Sequence, residues 1–329
     1  MPSDAARSYV TGEDDHVYAA RTIDYVPNEM NIAPKRRYFL YLMLPAIVTL
    51  AAITIYPFFW LIYMSLHKIG ARSDTWVGLK NYAALFTDEK NIQGWLMLIE
   101  YSAICLTFEI LVGVLLAVIL NNNRLEKVLV TVILMPMMMS PVVAGMLWYY
   151  LYNGTFGWYH WLFQSLGILD STSILGDYDT ALWGIIIVDI WQWTPLITLI
   201  ALAGLKRVPR DQVEANMVDG AGPIRNFFSV SLPNIIPFLL IGILLRFMDN
   251  FRFIDHILAM TGGGPGNSTR ILPVYLFDVS FQFFKLGRGA AIAFTLLFVT
   301  IILGLVLVRV LEDPAQKKAM TDSDNNGEG

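Results

Sequence analysis

Long apolar runs alternate with short polar stretches along most of the chain. Six runs stand out: Phe39 to Met64, Trp95 to Leu120, Val128 to Tyr152, Ala181 to Ala203, Ile235 to Leu258 and Ala290 to Leu311. Each is long enough for a helix to cross a bilayer, since about 20 residues at about 1.5 Å per residue cover about 30 Å of hydrocarbon. The pattern therefore predicts an all-α integral membrane fold of six transmembrane helices, because lipid offers no partner to unpaired backbone groups. A transmembrane barrel would instead alternate apolar and polar residues in short segments, and no such pattern is seen. The first run, beginning near residue 39, is too long for a cleaved signal and is expected to remain as a span.

Composition agrees with lipid as the solvent. The 329 residues are 56% hydrophobic and 15% charged, with a mean hydropathy of +0.53, more apolar surface than a soluble domain of this size buries. The net charge of −4 comes mainly from the ends: six acids in residues 1–34 and five after Leu311. These ends are polar enough to be disordered, which predicts tails over 1–34 and 312–329 around a membrane domain over 35–311. The single cysteine, Cys105, lies inside a span, so no disulfide framework exists. His16, His67, His160 and His256 are too scattered to suggest a metal site, and no Ser/His/Asp grouping suggests a catalyst.

Basic residues polarise the loops. Two lie in Asn121 to Lys127, none in Asn153 to Thr180, and four in Leu205 to Asn234: Lys206, Arg207, Arg210 and Arg225. Lys35, Arg36 and Arg37 before the first span, and Arg309, Lys317 and Lys318 at the end of the last and beyond it, fall on the same side as this fourth loop. That side, carrying both termini, is expected to be cytoplasmic. Lys68, Arg72, Lys80 and Lys90 dissent in the first outer loop, where acids dilute them.

The fourth loop contains EANMVDGAGPIRNFFSVSLP, residues 214–233. Pro209 suits a helix start and Asp211 favours its positive end, predicting a short helix from Gln212 to Val218. Gly220, Ala221, Gly222 and Pro223 must break it. A second short helix over Ile224 to Val230 is expected, with Leu232 and Pro233 turning the chain into span five. From the residues alone, an amphipathic interfacial connector is an equally open reading.

This segment resembles the signature cytoplasmic loop of permease subunits in binding-protein-dependent ATP-binding-cassette importers, E-A-A, three residues, G, nine residues, I, one residue, L-P. The chain matches at Glu214, Ala215, Gly220, Leu232 and Pro233, with Asp219 completing a common D-G pair. It departs at Asn216, where the family usually has alanine, and conservatively at Val230. TGGGPGNST at 261–269, WQWTP at 191–195 and AGLKRVP at 203–209 are similar to the sugar-importing branch typified by maltose and glycerol-3-phosphate importers. The glycine-rich stretch is not a phosphate cradle, since no lysine follows at the required spacing and no strand precedes it.

The resemblance implies a type I importer permease domain over 35–311 in a bacterial inner membrane, with a coupling helix between spans four and five in a loop over 209–233. Glu214, Ala215, Asp219, Gly220, Gly222, Leu232 and Pro233 would meet the ATPase, with Glu214 pairing to a basic group. Partners would be a second homologous permease, two ATPase subunits and an extracytoplasmic binding protein. ATP and magnesium would be bound by the ATPases; no cofactor, catalytic residue or metal is expected in this chain, and no nucleic acid.

Polar residues inside spans are costly and usually face a cavity or one another. Asp189 and Trp193 share a face of span four with Gln192 adjacent, and Arg246, Asn250 and Phe253 share a face of span five. These six are the candidate substrate pathway, for spans that bind sugar in relatives. Asp189 and Arg246 can alternatively neutralise one another as a buried pair. A saccharide is expected, with Arg246 and Arg252 leaving open an acidic one such as a uronate oligomer, alginate included. The rival function is an ion-coupled secondary transporter, favoured by Pro45, Pro57, Pro136, Pro141 and Pro195 within spans but lacking a duplicated half.

Overall fold

The computed structural model describes residues 36–70, 74–167 and 173–325. The expected N-terminal tail over 1–34 lies outside them. The chain divides between Thr54 and Ile55, within helix α1 (Arg36–Ser65), into two units, and the first holds only helical residues among those described.

In the second unit a short antiparallel pair, β1 (His67–Lys68) and β2 (Thr75–Trp76), leads into α2 (Lys80–Thr87) and α3 (Glu89–Leu120). Asp88 caps α3, its side chain accepting from the Lys90 N–H at 3.2 Å, an N-cap role suited to aspartate. Then follow α4 (Glu126–Leu134), α5 (Pro141–Leu151), α6 (Trp158–Ser165) and α7 (Ala181–Leu205). Next come α8 (Arg210–Val218), α9 (Pro223–Asn226), α10 (Leu232–Asn250), α11 (Asp255–Met260), α12 (Leu272–Phe277) and α13 (Leu286–Asn325).

Among the described residues five helical segments are long and apolar enough to cross a membrane: Met43–Ser65, Glu89–Leu120, Ala181–Leu205, Pro223–Asn250 and Leu286–Arg309. The expected third span, Val128 to Tyr152, is not one helix. It is divided into α4, a 3-10 turn over Pro136–Met138, and α5, because Pro136 and Pro141 supply no N–H and each starts a new segment. Helix α13 does not stop with its apolar run but continues to Asn325, so most of the expected free C-terminal tail is helical.

Helices α3 and α7 pack closely because Gly113 lets them. A Cβ there would sit 2.8 Å from Ile197 Cγ2 and 3.2 Å from the Thr198 backbone nitrogen. Small residues at such crossings let backbones approach where lipid supplies no hydrophobic drive. Two apolar cores form along α3, α7 and α10. One holds Leu98, Tyr101, Cys105, Ile185, Val188, Phe253 and Ile257; the other holds Ala117, Leu120, Ile197, Ala201, Ile235 and Leu239. On each helix, the polar residues Glu109, Asp189 and Arg246 fall between the two.

Near the end of α3 where Asp88 sits, its carboxylate also accepts from the Tyr275 hydroxyl and, at 2.6 Å, from Arg288 Nη2. It thus clasps α3, α12 and α13 together. Aromatic residues around the end of α5 join the core: Trp148 is buried, stacked on Tyr159 at 4.9 Å and edge-on to Trp191 at 5.4 Å. Trp158 and Trp161 remain exposed, as belt residues would be.

Candidate functional site

Two polar assemblies interrupt the apolar structure. The first is the buried layer between the two cores. Arg246 is 1% exposed, and its guanidinium forms a bidentate pair with Glu109, Nη2 to Oε1 at 2.6 Å and Nε to Oε2 at 2.9 Å. Nη2 also reaches Asp189 Oδ2 at 2.8 Å, and Nη1 reaches Asp249 Oδ2 at 3.3 Å. The indole of Trp193 covers the guanidinium at 4.8 Å, a cation–π contact. The fork geometry explains why this position is arginine, since a lysine ammonium cannot match two carboxylate oxygens at once.

A second chain of contacts runs beside it. Gln192 Nε2 donates to the Met139 carbonyl at 2.8 Å, and its Oε1 lies 2.6 Å from His256 Nε2. His256 Nδ1 lies 3.9 Å from Asp189 Oδ1. Met139 sits just before Ser140 and Pro141, where the third span is broken, so Gln192 occupies a carbonyl that helix bonding leaves open. Asn250 is fully buried, and neither side-chain polar atom has a hydrogen-bond partner among the described residues.

The six predicted pathway residues are thus brought together on α7 and around the end of α10, but differently placed. Asp189, Gln192, Arg246 and Asn250 are buried within this one chain. Trp193 and Phe253 border a cleft of about 390 Å³, with Pro141, Asp249, Arg252 and Asp255, but Phe253 is itself buried and stacked on Tyr101. Phe253 lies beyond the end of α10, not on its face, because the helix stops at Asn250. Arg252 is exposed and forks onto Asp249, with Nε at 2.9 Å and Nη2 at 2.5 Å from Oδ1. The Asp189–Arg246 pair exists, but the residue that engages Arg246 bidentately is Glu109, absent from the prediction.

The second assembly is the elbow after α7. Pro209 precedes α8 in an extended conformation, with Asp211 in the first turn. Gly220, at φ +82°, ends the helix: its N–H bonds to the Met217 carbonyl at 3.0 Å, and the Ala221 N–H to the Asn216 carbonyl at 3.0 Å. This pair of bonds is the Schellman motif, whose left-handed residue is best filled by glycine. Gly222 precedes α9 and Pro223 opens it.

The second short helix is not separate from span five. A π turn over Phe227–Ser231 follows α9, with the Leu232 N–H reaching back to the Phe227 carbonyl, and α10 continues from it. The predicted turn at Leu232 and Pro233 is therefore replaced by a continuous helical path from Pro223 to Asn250. The wider π register runs up to Pro233, whose missing N–H falls at the start of α10, where its loss is tolerated.

Helix α8 buries none of its residues, and Met217 and Val218 are 54% and 87% exposed. Glu214, Ala215 and Asp219 are exposed too. Glu214 lines a cleft of about 690 Å³ with Lys206, Arg210 and Asn226, yet its carboxylate has no partner among the described residues. Nearby, Lys206 is paired with Glu126. A polar helix with no core of its own is stable in a protein only when something else packs on it.

The chain belongs to the family of binding-protein-dependent transport system inner membrane components, which matches residues 109–318. It is thus a membrane-embedded permease component, and the ion-coupled secondary carrier is set aside. Among its relatives, the trehalose/maltose transport system permease protein MalF of Thermococcus litoralis is 30% identical over 273 residues, covering 82% of this chain and 91% of that one. The sn-glycerol-3-phosphate transport system permease protein UgpA of Yersinia enterocolitica is 29% identical over 279 residues, covering 82% and 92%. The fold is shared with a chain in the crystal structure of a bacterial alginate ABC transporter in complex with alginate pentasaccharide-bound periplasmic protein. That match has a TM-score of 0.71 at 20% identity, covering 83% of this chain and 93% of the other.

Proposed function

We propose that this chain is one of two permease subunits of an ATP-driven importer that carries a saccharide from an extracytoplasmic binding protein into the cytoplasm. The observation that carries this reading is α8, a helix without buried residues that presents Met217, Val218 and a Glu214 without a partner among the described residues, beside a glycine-ended turn. Such a helix suits a cleft on a soluble ATPase, which binds the ATP and magnesium, with Glu214 pairing to a basic group there. Ala215, Asp219, Gly220 and Gly222 shape the contact, and Leu232 and Pro233 begin the span that receives the push. Both termini and the elbow face the cytoplasm, from the Lys/Arg distribution.

The sugar reading draws on the names of the relatives and on the cleft bordered by Trp193, since an aromatic face suits a sugar ring. Arg246, the strongest argument for an acidic substrate, is already engaged by Glu109, Asp189 and Asp249. Arg252 bonds to Asp249, with Asp255 on the same cleft. The cleft therefore carries no surplus positive charge, which favours a neutral oligosaccharide over a uronate oligomer or a sugar phosphate.

Purification in mild detergent tests the assembly: a second permease and two ATPase subunits should co-elute, and a lone chain competent for uptake would contradict it. Uptake of a neutral disaccharide and of a uronate oligomer tests the substrate. Trp193→Ala should lower neutral uptake about tenfold, and Arg252→Ala should leave it within about twofold. Wild-type uptake of the uronate alone, abolished by Arg252→Ala, would overturn the neutral assignment.

A further inference from the structure

Asn216, the one clear departure from the signature loop, has a definite structural use. Its Nδ2 donates to Asn226 Oδ1 at 2.9 Å and to Ser229 Oγ at 3.0 Å, while Ser229 Oγ donates to the Arg225 carbonyl at 2.7 Å. Its own carbonyl receives the Ala221 N–H that closes the Schellman turn. One turn earlier on the same face of α8, Gln212 Oε1 accepts from Asn234 Nδ2 at 3.2 Å, and Asn234 also holds the Val230 carbonyl at 2.8 Å. Residues four apart lie one above the other on a helix, so Gln212 and Asn216 form a polar stripe. The facing stripe is Asn226, Ser229 and Asn234, along α9, the π turn and the first turn of α10.

We infer that this polar zipper, with Asn216 at its centre, positions α8 at a fixed angle on span five and is the joint through which its movement reaches the membrane. The inference rests on reading α8 as the coupling helix. Apolar packing would consume Met217 and Val218, which are instead left exposed, so the intrachain attachment is made by amides and a hydroxyl. An alanine at position 216 could make neither side-chain bond. Directional hydrogen bonds fix an angle better than greasy contact does, and two of them share one donor group here. The π turn supplies the spacing: Asn226 and Ser229 flank its start, and both face Asn216. Gln212, Asn216 and Asn234 are thus positioning residues that act through Glu214 and span five.

The test uses the full chain in lipid nanodiscs, with spin labels on cysteines replacing Val218 on α8 and Ile241 on α10, both exposed; Cys105, the sole native cysteine, is buried. The distance distribution should be narrow in the otherwise unchanged chain and clearly broader in Gln212→Ala/Asn216→Ala. Asn216→Asp, which can accept from a turned Asn226 amide, should keep it narrow. In the assembled transporter without labels, the double alanine variant should move about tenfold less substrate per ATP hydrolysed. An unbroadened distribution, or a broadened one with normal transport per ATP, would overturn the inference. Glu214→Ala measured in parallel separates the two ideas. If it uncouples while the double variant does not, the zipper alone fails; if it couples normally, the coupling reading of α8 fails.

Discussion

The buried layer around Arg246 and the elbow around Glu214 are both polar interruptions of an apolar chain, yet they use polarity in opposite ways. In the layer every charge on Arg246 is answered within the chain, by Glu109, Asp189 and Asp249, and a tryptophan closes over it. In the elbow, amides satisfy one another but the carboxylate of Glu214 and the apolar tip of α8 are left open. A charge deep in a membrane protein is too costly to leave unmatched, so its pairing is a condition of folding. A charge beside water costs little alone and is free to wait for a partner. Pairing within the chain separates Arg246, which holds helices of this fold together, from Glu214, which on the proposed function meets another protein.

The largest expected effect comes from breaking the ion pairs of Arg246. Arg246→Met leaves Glu109 and Asp189 facing each other without a counter-charge and should cost about 3–5 kcal/mol, read as loss of folded protein by fluorescence-detected size exclusion. Arg246→Lys should recover only part of this, because the bidentate contact to Glu109 cannot be remade. Full recovery with lysine would mean that charge rather than geometry holds the three helices. A moderate effect should follow Asp88→Ala, which removes the α3 cap and the acceptor of Tyr275 and Arg288, at about 1–3 kcal/mol in thermal unfolding. The smallest change in stability, within about 0.5 kcal/mol, belongs to Glu214→Ala, since its exposed carboxylate has no hydrogen-bond or ion-pair partner among the described residues. A large destabilisation there would erase the contrast between the two regions.

Much of this was legible in the sequence because it depends on chain-local rules. Five of the six runs became membrane-length helices, and the α8 break at Gly220 follows from a φ of +82° that glycine accepts freely. The division of the third run was signalled by Pro136 and Pro141, but runs of hydropathy do not weigh two prolines against twenty apolar neighbours. Glu109 had a signal too, an acid inside an apolar run, yet its role depends on the rotation and depth at which α3 meets α10, 137 residues away. The likeness of Leu232-Pro233 to a turn was misleading because a π turn ahead of it carries the helix through. Asn216 was visible only as a mismatch; its meaning lies in Asn226 and Ser229, which a one-residue change in the π turn would swing away.

On the proposed function, the elbow is where ATP hydrolysis by another protein enters this one, through Glu214. The direct measurement is substrate-stimulated ATP turnover and uptake by the reconstituted transporter carrying Glu214→Ala. The expected result is a normally inserted, normally stable chain whose uptake falls at least about tenfold, as the loss of the proposed charge-assisted contact to the ATPase requires. Wild-type uptake together with wild-type stimulated turnover in that variant would contradict the account.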